Sequence, residues 1–308
     1  MPAAPQRRFT RYALGVLAYT GLVILWGAWV RISTSGAGCG EDWPLCHGTV
    51  LPPLDSAHTL IELSHRLSSG VLALLVLGLV GWALQAFPRG HLARRGAWLS
   101  LVLLITESLL GAGLVIFGLV EDDASLSRAV AMALHFLNTS LLAGALLITA
   151  YWSTSDHGWR TRLGAALPAL LALAALLFIG MTGTLMALGD TVPTAALHAI
   201  GAQGHYLLQL RAVHPTTALL LASVLGGGAV FSIRRGGPRL RAPSITLLAT
   251  LSASLLLGVA DAALHAPGWI QVLHLTAAIG AWAATVWLTA SLRYRPNTAD
   301  ATPSRKAA

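Results

Sequence analysis

Charge is what this 308-residue chain has least of. Asp, Glu, Lys and Arg make up 10% of it, against roughly a quarter in an average soluble domain. So few charges cannot solvate a water-facing surface, and 55% of the residues are hydrophobic, which excludes a water-soluble globular protein as the leading reading. Acidic residues are the scarcer sign, 12 against 20 Lys+Arg, for a net charge of +8. That surplus does not point to nucleic acid, because the basic residues are strung between long apolar runs instead of gathered on one polar segment. Cysteine is nearly absent. Two cysteines can build neither a disulfide-rich scaffold nor a four-cysteine zinc or iron–sulfur site. No segment is long enough for a separate soluble domain, and low-complexity sequence is confined to the Pro/Thr/Ala stretch after Arg293.

What is present is hydrophobic length. A bilayer core of ~30 Å takes about 20 apolar residues in helix, and eight such runs occur, near 12–32, 60–86, 96–118, 129–151, 164–187, 211–232, 244–264 and 270–291. Helix is the expected form, since backbone groups facing lipid must be paired within their own segment and no alternating barrel pattern is visible. The first run is too long for a signal peptide and no small-residue cleavage site closes it, so it is expected to be the first span. The positive-inside rule then sets orientation. With a cytoplasmic N-terminus, that side collects 16 of the 20 Lys+Arg. The other four, Arg31, Arg66, Arg128 and Arg211, fall at the outer ends of spans. Two long outer loops are expected, 33–59 and 188–210.

Eleven histidines are the most informative feature. His65, His135, His214 and His274 each lie one to two turns inside the outer end of an even-numbered span, so all four share one depth. Ionisable groups inside a membrane default to function. Spans five to eight also read as a second copy of spans one to four: His65 corresponds to His214 and His135 to His274, while Gly111 and Gly258 follow leucines in spans three and seven. The expected fold is therefore all-α integral membrane, eight helices in two pseudo-symmetric four-helix bundles, residues 1–155 and 156–308, with both termini cytoplasmic. A facing histidine pair in each bundle suits axial ligation of two haems. A zinc or copper site is the competing reading, but such an ion usually recruits carboxylates, and only Glu62 stands close to these histidines. The copies differ three residues before the first histidine of each, with Glu62 before His65 and Arg211 before His214. An i, i+3 spacing puts each pair on one helical face. The carboxylate suits proton transfer and the cation a haem propionate, so one bundle is expected to do chemistry and the other to hold a cofactor.

These residues carry a family resemblance. Glu62-Leu-Ser-His65-Arg66-Leu-Ser-Ser-Gly70 resembles the signature of haem A synthases. So do the run Gly27 to Gly38 leading to Cys39 and Cys46, Trp43-Pro44, Glu107-Ser-Leu-Leu-Gly111, His135, His214, Leu257-Gly258, Pro267 and His274. The resemblance covers nearly the whole chain. It implies an oxidoreductase that converts haem O to haem A by oxidising the C8 methyl group to a formyl group through successive hydroxylations, for use in terminal oxidases. It further implies that His65 and His135 flank the substrate haem, that His214 and His274 ligate a haem B cofactor, and that Glu62 is the catalytic acid/base. The implied partners are haem O, the lipid bilayer, a haem O synthase and oxidase assembly factors, with a homo-oligomer left open; the implied location is the cell membrane. The sequence departs from the family in lacking a second cysteine pair in the later outer loop, where His198 and His205 stand. Glu107 and Ser254 replace the glutamines common there, and a second proton-handling role for Glu107 is a further expectation.

Cys39 and Cys46 fall on the side where disulfides persist. Their C-x₆-C-His47 spacing does not match c-type haem attachment, which leaves a loop staple or, as the resemblance implies, a redox-active pair. His91 and His157 read as solvated loop residues, and His47, His58 and His265 join no constellation. Asp261 is expected to pair with Arg128 or Arg211. Trp26, Trp29, Trp152 and Trp269 suit interfacial belts, and Gly21, Gly27, Gly180 and Gly183 suit close helix packing. Two haems bring four propionates, and Arg66, Arg128 and Arg211, level with the histidines, are the candidate partners. Two rival readings remain: a di-haem electron-transfer cytochrome, and a haem or metal transporter.

Overall fold

A computed structural model describes residues 4–53, 55–121, 123–154, 163–191 and 206–293. Each expected apolar run is a helix: α1 Ala4–Ile32, α2 Ala57–Ala86, α3 Leu92–Ile116, α4 Leu126–Trp152, α5 Leu163–Thr191, α6 Tyr206–Arg235, α7 Pro238–Ala263 and α8 Gly268–Arg293. All eight are long and apolar enough to cross a membrane. Among the described residues no strand forms; a lone bridge joins Cys46 to Thr49. Most helices outrun their apolar core, because hydropathy marks only the part that meets lipid. The α1 helix carries Arg7, Arg8 and Arg11 in its opening turns, and α7 opens on Pro238, whose missing N–H costs nothing in a first turn.

Side chains cap the starts of α2, α3 and α4. Ser56 Oγ accepts from His58 N at 3.2 Å, and Ser125 Oγ accepts from Arg128 N at 3.2 Å. His91 is not simply a solvated loop residue. Its Nδ1 accepts from Ala93 N at 3.1 Å as the N-cap of α3, and its ring stacks on Phe87 with centroids 4.5 Å apart. Such caps satisfy N–H groups that a helix leaves unpaired.

Helices α1, α2, α3 and α4 pack each on the next and α4 returns to α1; α5 to α8 pack in the same cyclic order. The first four share an apolar core built around Phe9, Val16, Val76, Leu79, Leu142 and Leu146. A second core joins Ala222, Leu225, Leu247, Leu251, Ala281 and Ala284. Contacts of α8 with α1 and α4, and of α5 with α4, hold the two groups together. The seam is polar in two places. Trp282 Nε1 donates to Ser140 O at 2.7 Å, and Arg31 reaches from α1 to Ala187 O on α5 at 2.6 Å and to Gln271 Oε1 on α8 at 3.0 Å. Large apolar side chains face outward on α1 to α8, among them Leu22, Leu74, Val102, Leu171, Val224 and Val259. Lipid, not water, is the solvent that suits them.

Candidate functional site: two imidazole pairs and a stapled loop

The four histidines of the sequence pattern sit on α2, α4, α6 and α8, and each imidazole packs against a glycine of the preceding odd-numbered helix. A Cβ on Gly27 would stand 2.9 Å from His65 Cε1, and one on Gly183 would stand 2.8 Å from His214 Cε1. A Cβ on Gly258 would lie 3.1 Å from His274 Cε1, and one on Gly111 would lie 3.7 Å from His135 Cε1. Gly27 and Gly183 therefore do more than let helices approach: each leaves the space that an imidazole fills. Gly180 does serve close packing, against Phe136, whereas Gly21 faces open space.

The imidazoles meet in pairs. His214 and His274 have ring centroids 6.5 Å apart and planes at 88°. That leaves room for one metal ion bonded at about 2 Å to a nitrogen on either side. Their tautomers are set by neighbours. Thr182 Oγ1 donates to Ile179 O, so it accepts from His214 Nδ1 at 3.1 Å. Ser254 O, a carbonyl, accepts from His274 Nδ1 at 2.9 Å. Both second-half rings thus carry hydrogen on Nδ1 and keep the Nε2 lone pair for a ligand, the arrangement by which a second shell orients a metal-binding histidine. Asp261, on α7, interacts electrostatically with His274.

His65 and His135 likewise lie close enough to interact electrostatically. Their surroundings differ from those of the second pair. Buried Nδ1 of His65 has no hydrogen-bond partner, and neither has that of His135, although Glu107 Oε1 lies 3.4 Å from it. Glu107 is hydrogen-bonded: Asn138 Nδ2 donates to its Oε2 at 2.7 Å and Thr139 Oγ1 to its Oε1. Asn138 and Thr139 lie just past His135 on α4 and carried no signal in the sequence.

Glu62 is buried at 3% exposure, yet it is engaged with the first loop, not with an imidazole. Arg66, one turn on, forms an ion pair with it, donating from Nε at 3.1 Å and also from Nη2. Cys39 N donates to Glu62 Oε2 at 2.7 Å. Arg66 Nη1 also donates to Asp42 O at 2.6 Å and to Leu45 O. Cys39 and Cys46 are joined in a disulfide and buried against Leu63. The carboxylate and guanidinium are thus both docked on the disulfide-closed ring. Gly38 makes this possible, since a Cβ there would stand 2.8 Å from Thr59 N at the start of α2. His47 Nε2 bonds Gly38 O at 3.0 Å and His58 Nδ1 bonds Ser35 Oγ at 3.1 Å, so both serve the loop fold.

The remaining arginines separate. Arg128, 4% exposed, donates from Nη1 to the carbonyls of Asp123, at 2.7 Å, and Glu121. Arg31 belongs to the seam already described. The side chain of Arg211 and the residues His157, His198 and His205 lie outside the described residues.

Among the described residues no three His, Cys, Asp or Glu side chains converge to hold a metal ion. Paired imidazoles, each seated opposite a glycine and two of them with Nε2 left free, fit haem, which supplies its own equatorial donors and takes the axial ones from protein. The class defined by fold and site is a polytopic helical membrane protein with two paired-imidazole centres. The chain belongs to the COX15-CtaA family of cytochrome oxidase assembly proteins, which it matches over residues 10–286. It is 42% identical over 295 residues to a protoheme IX farnesyltransferase of Thermus thermophilus, covering 92% of this chain and 48% of that protein. It is 39% identical over 127 residues to the heme A synthase of Exiguobacterium sibiricum, 41% of this chain and 40% of the relative. With the heme A synthase of Alkalihalophilus pseudofirmus it shares 38% identity over 138 residues, 44% of this chain and 42% of the relative. The chain spans about half the length of the Thermus relative, or somewhat less in the other two.

Proposed function

We propose that this chain is a haem A synthase that oxidises the C8 methyl group of haem O to a formyl group. The observation that carries the reading is the two imidazole pairs, all four rings seated opposite glycines, in a chain of this family. We assign His65 and His135 to the substrate haem and His214 and His274 to a haem B cofactor. When bound, the haem irons supply the redox chemistry. The protein's part is to hold, orient and move protons. Thr182 and Ser254 keep Nδ1 of the second pair protonated and leave Nε2 for a ligand. Such fixed geometry suits a permanent cofactor. In the first pair His65 has no such tether, which suits a haem that enters and leaves. Glu62 is the acceptor for protons released as the methyl is oxidised, with Arg66 and the Cys39 amide holding the carboxylate in place. A carboxylate in a water-poor site, within reach of a cation and an amide, is the form of general base that such chemistry needs.

The experiment is pigment extraction from purified protein with identification of haems B, O and A by mass. Glu62→Gln should retain haem yet yield at least a hundredfold less haem A; a parental yield sinks the assignment. Permanent haem B in both halves with no haem A from the parent favours the electron-carrier reading instead. Propionate contacts are assigned to Arg66, Arg128 and Arg211. The first two already serve loop carbonyls, so Arg211 is the principal one, and unchanged haem retention in Arg211→Ala removes it.

The wider reading has its own supports. Arginine placement favours cytoplasmic termini, and the matched cyclic packing of α1–α4 and α5–α8 favours two related bundles, 1–155 and 156–308. The match to about half of a relative named for farnesyl transfer to protoheme favours a place beside the enzyme that makes haem O.

A further inference from the structure

One turn before the glycine that seats its histidine, each half of the chain carries a different residue. Glu107 precedes Gly111, which faces His135, and Ser254 precedes Gly258, which faces His274. Both positions offer an acceptor to the imidazole. On α7 it is a backbone carbonyl, Ser254 O, which takes the Nδ1 hydrogen of His274 at 2.9 Å. On α3 it is a side-chain carboxylate, whose Oε1 stands 3.4 Å from His135 Nδ1. That nitrogen is buried and has no hydrogen-bond partner among the described residues. The gap is a few tenths of an ångström longer than a hydrogen bond.

The carboxylate is held where it stands. Asn138 Nδ2 has two hydrogens, and it donates to Leu103 O at 2.8 Å and to Glu107 Oε2 at 2.7 Å. Leu103 lies one turn before Glu107 on α3, so the same helix that carries the carboxylate also fixes the amide. Oε1 is in contact with Thr139 Oγ1 and is the oxygen that faces the imidazole. Asn138 and Thr139 stand one turn past His135 on α4. The imidazole and its carboxylate are thus placed by one pair of packed helices.

We propose that Glu107 is a positioning residue that accepts the Nδ1 hydrogen of His135 and makes that ring a stronger electron donor through Nε2 than His274. The inference rests on the assignment of His135 to a haem iron. A neutral imidazole that binds metal through Nε2 carries its hydrogen on Nδ1, and a buried N–H left without an acceptor costs free energy. A charged acceptor makes a stronger hydrogen bond than a carbonyl, and such a partner raises the basicity of a ligating histidine. Greater donation favours the ferric over the ferrous state. This role needs no proton to leave the pair.

The test uses the full chain in lipid nanodiscs, loaded with haem B and haem O, with the potential of each centre read by spectroelectrochemical titration. Glu107→Gln keeps the side chain's shape and removes its charge. It should lower the ferric-to-ferrous ratio of the first centre at least tenfold at a fixed potential, about 59 mV for one electron. The second centre should not move, and haem retention at the first should stay within twofold of the parent. Glu107→Asp keeps the charge but withdraws the oxygens by one methylene, and it should shift the first centre in the same direction. A parental potential in Glu107→Gln overturns the proposal. A parental potential in Glu107→Asp reduces the effect to the field of a nearby charge and overturns it too. Loss of first-site haem from both variants makes the carboxylate a structural prop, which also overturns it. His135→Ala separates the two levels of failure. If the low-spin signals of both centres survive that substitution, the haem assignment fails and this inference falls with it. If the first signal is lost while Glu107→Gln leaves the potential unmoved, the assignment stands and only the role of Glu107 falls.

Discussion

At the scale of single residues, the four histidines are legible in the sequence and their seats are not. Matched depth on alternate spans picks out His65, His135, His214 and His274, because a titratable group in a hydrocarbon-length run stands out against its neighbours. Gly27, Gly111, Gly183 and Gly258 are four among 31 glycines, and which of them faces an imidazole depends on how two helices rotate against each other. The distances predict a graded effect. Gly27→Ala and Gly183→Ala place a Cβ 2.9 and 2.8 Å from a ring carbon, closer than side chains tolerate. Each should displace its imidazole and, on the proposed haem assignment, weaken the low-spin bis-imidazole signature of its own site, with haem occupancy falling severalfold. Gly111→Ala adds only a van der Waals contact at 3.7 Å and should keep parental occupancy. Equal losses from Gly111→Ala and Gly27→Ala in electronic and paramagnetic resonance spectra would remove the seat explanation. Glu107 teaches the complementary lesson. The sequence marks it only as a polar exception in an apolar run, and the structure supplies its hydrogen-bond partners, Asn138 and Thr139.

At the scale of elements, the loop between α1 and α2 changes meaning once Arg66 is placed. Read as a sequence, Arg66 is a cation at the wrong end of a span, and a propionate is the natural partner to expect. In the fold its guanidinium is shared between Glu62 and two carbonyls of the ring closed by Cys39 and Cys46. Closing so small a ring restrains the unfolded chain by roughly 2–3 kcal/mol on the chain-entropy account, and in the fold the ring's Cys39 amide donates to the Glu62 carboxylate. Replacing both cysteines by serine should speed amide hydrogen exchange across residues 39–46 by at least tenfold. It should also lower haem A yield, since Glu62 then loses the rigid donor that positions it. Faster exchange with an undiminished yield would restrict the ring to a staple.

At the scale of the whole molecule, the two helix groups are joined through α1, α4, α5 and α8, and Arg31 is the polar element of that seam that ties three helices at once. Hydrogen bonds to a charged donor are worth about 1.5–3 kcal/mol each when a buried partner would otherwise go unsatisfied. Arg31→Leu should therefore lower stability by roughly 3 kcal/mol in denaturant titrations of detergent-solubilised protein, the low end of two such bonds. Haem A yield should fall less than in Glu62→Gln, because no imidazole seat is touched. Stability equal to the parent's would show that the seam is held by its apolar contacts alone.

Among the described residues, the eight membrane-length helices and their approximate limits were determined by sequence, because solvation by hydrocarbon is a local property that adds up along a run of residues. The four candidate ligands were determined the same way, as polar exceptions within those runs. Only the tertiary structure decided which ring nitrogen is left free, which glycine each ring rests on, and that Glu62 and Arg66 face a disulfide ring. It also assigned Arg128 to loop carbonyls and Arg31 to the seam. These outcomes turn on pairs of atoms brought within hydrogen-bond or contact distance by helices far apart in the chain. No periodicity or composition along one helix encodes the rotation of its neighbour.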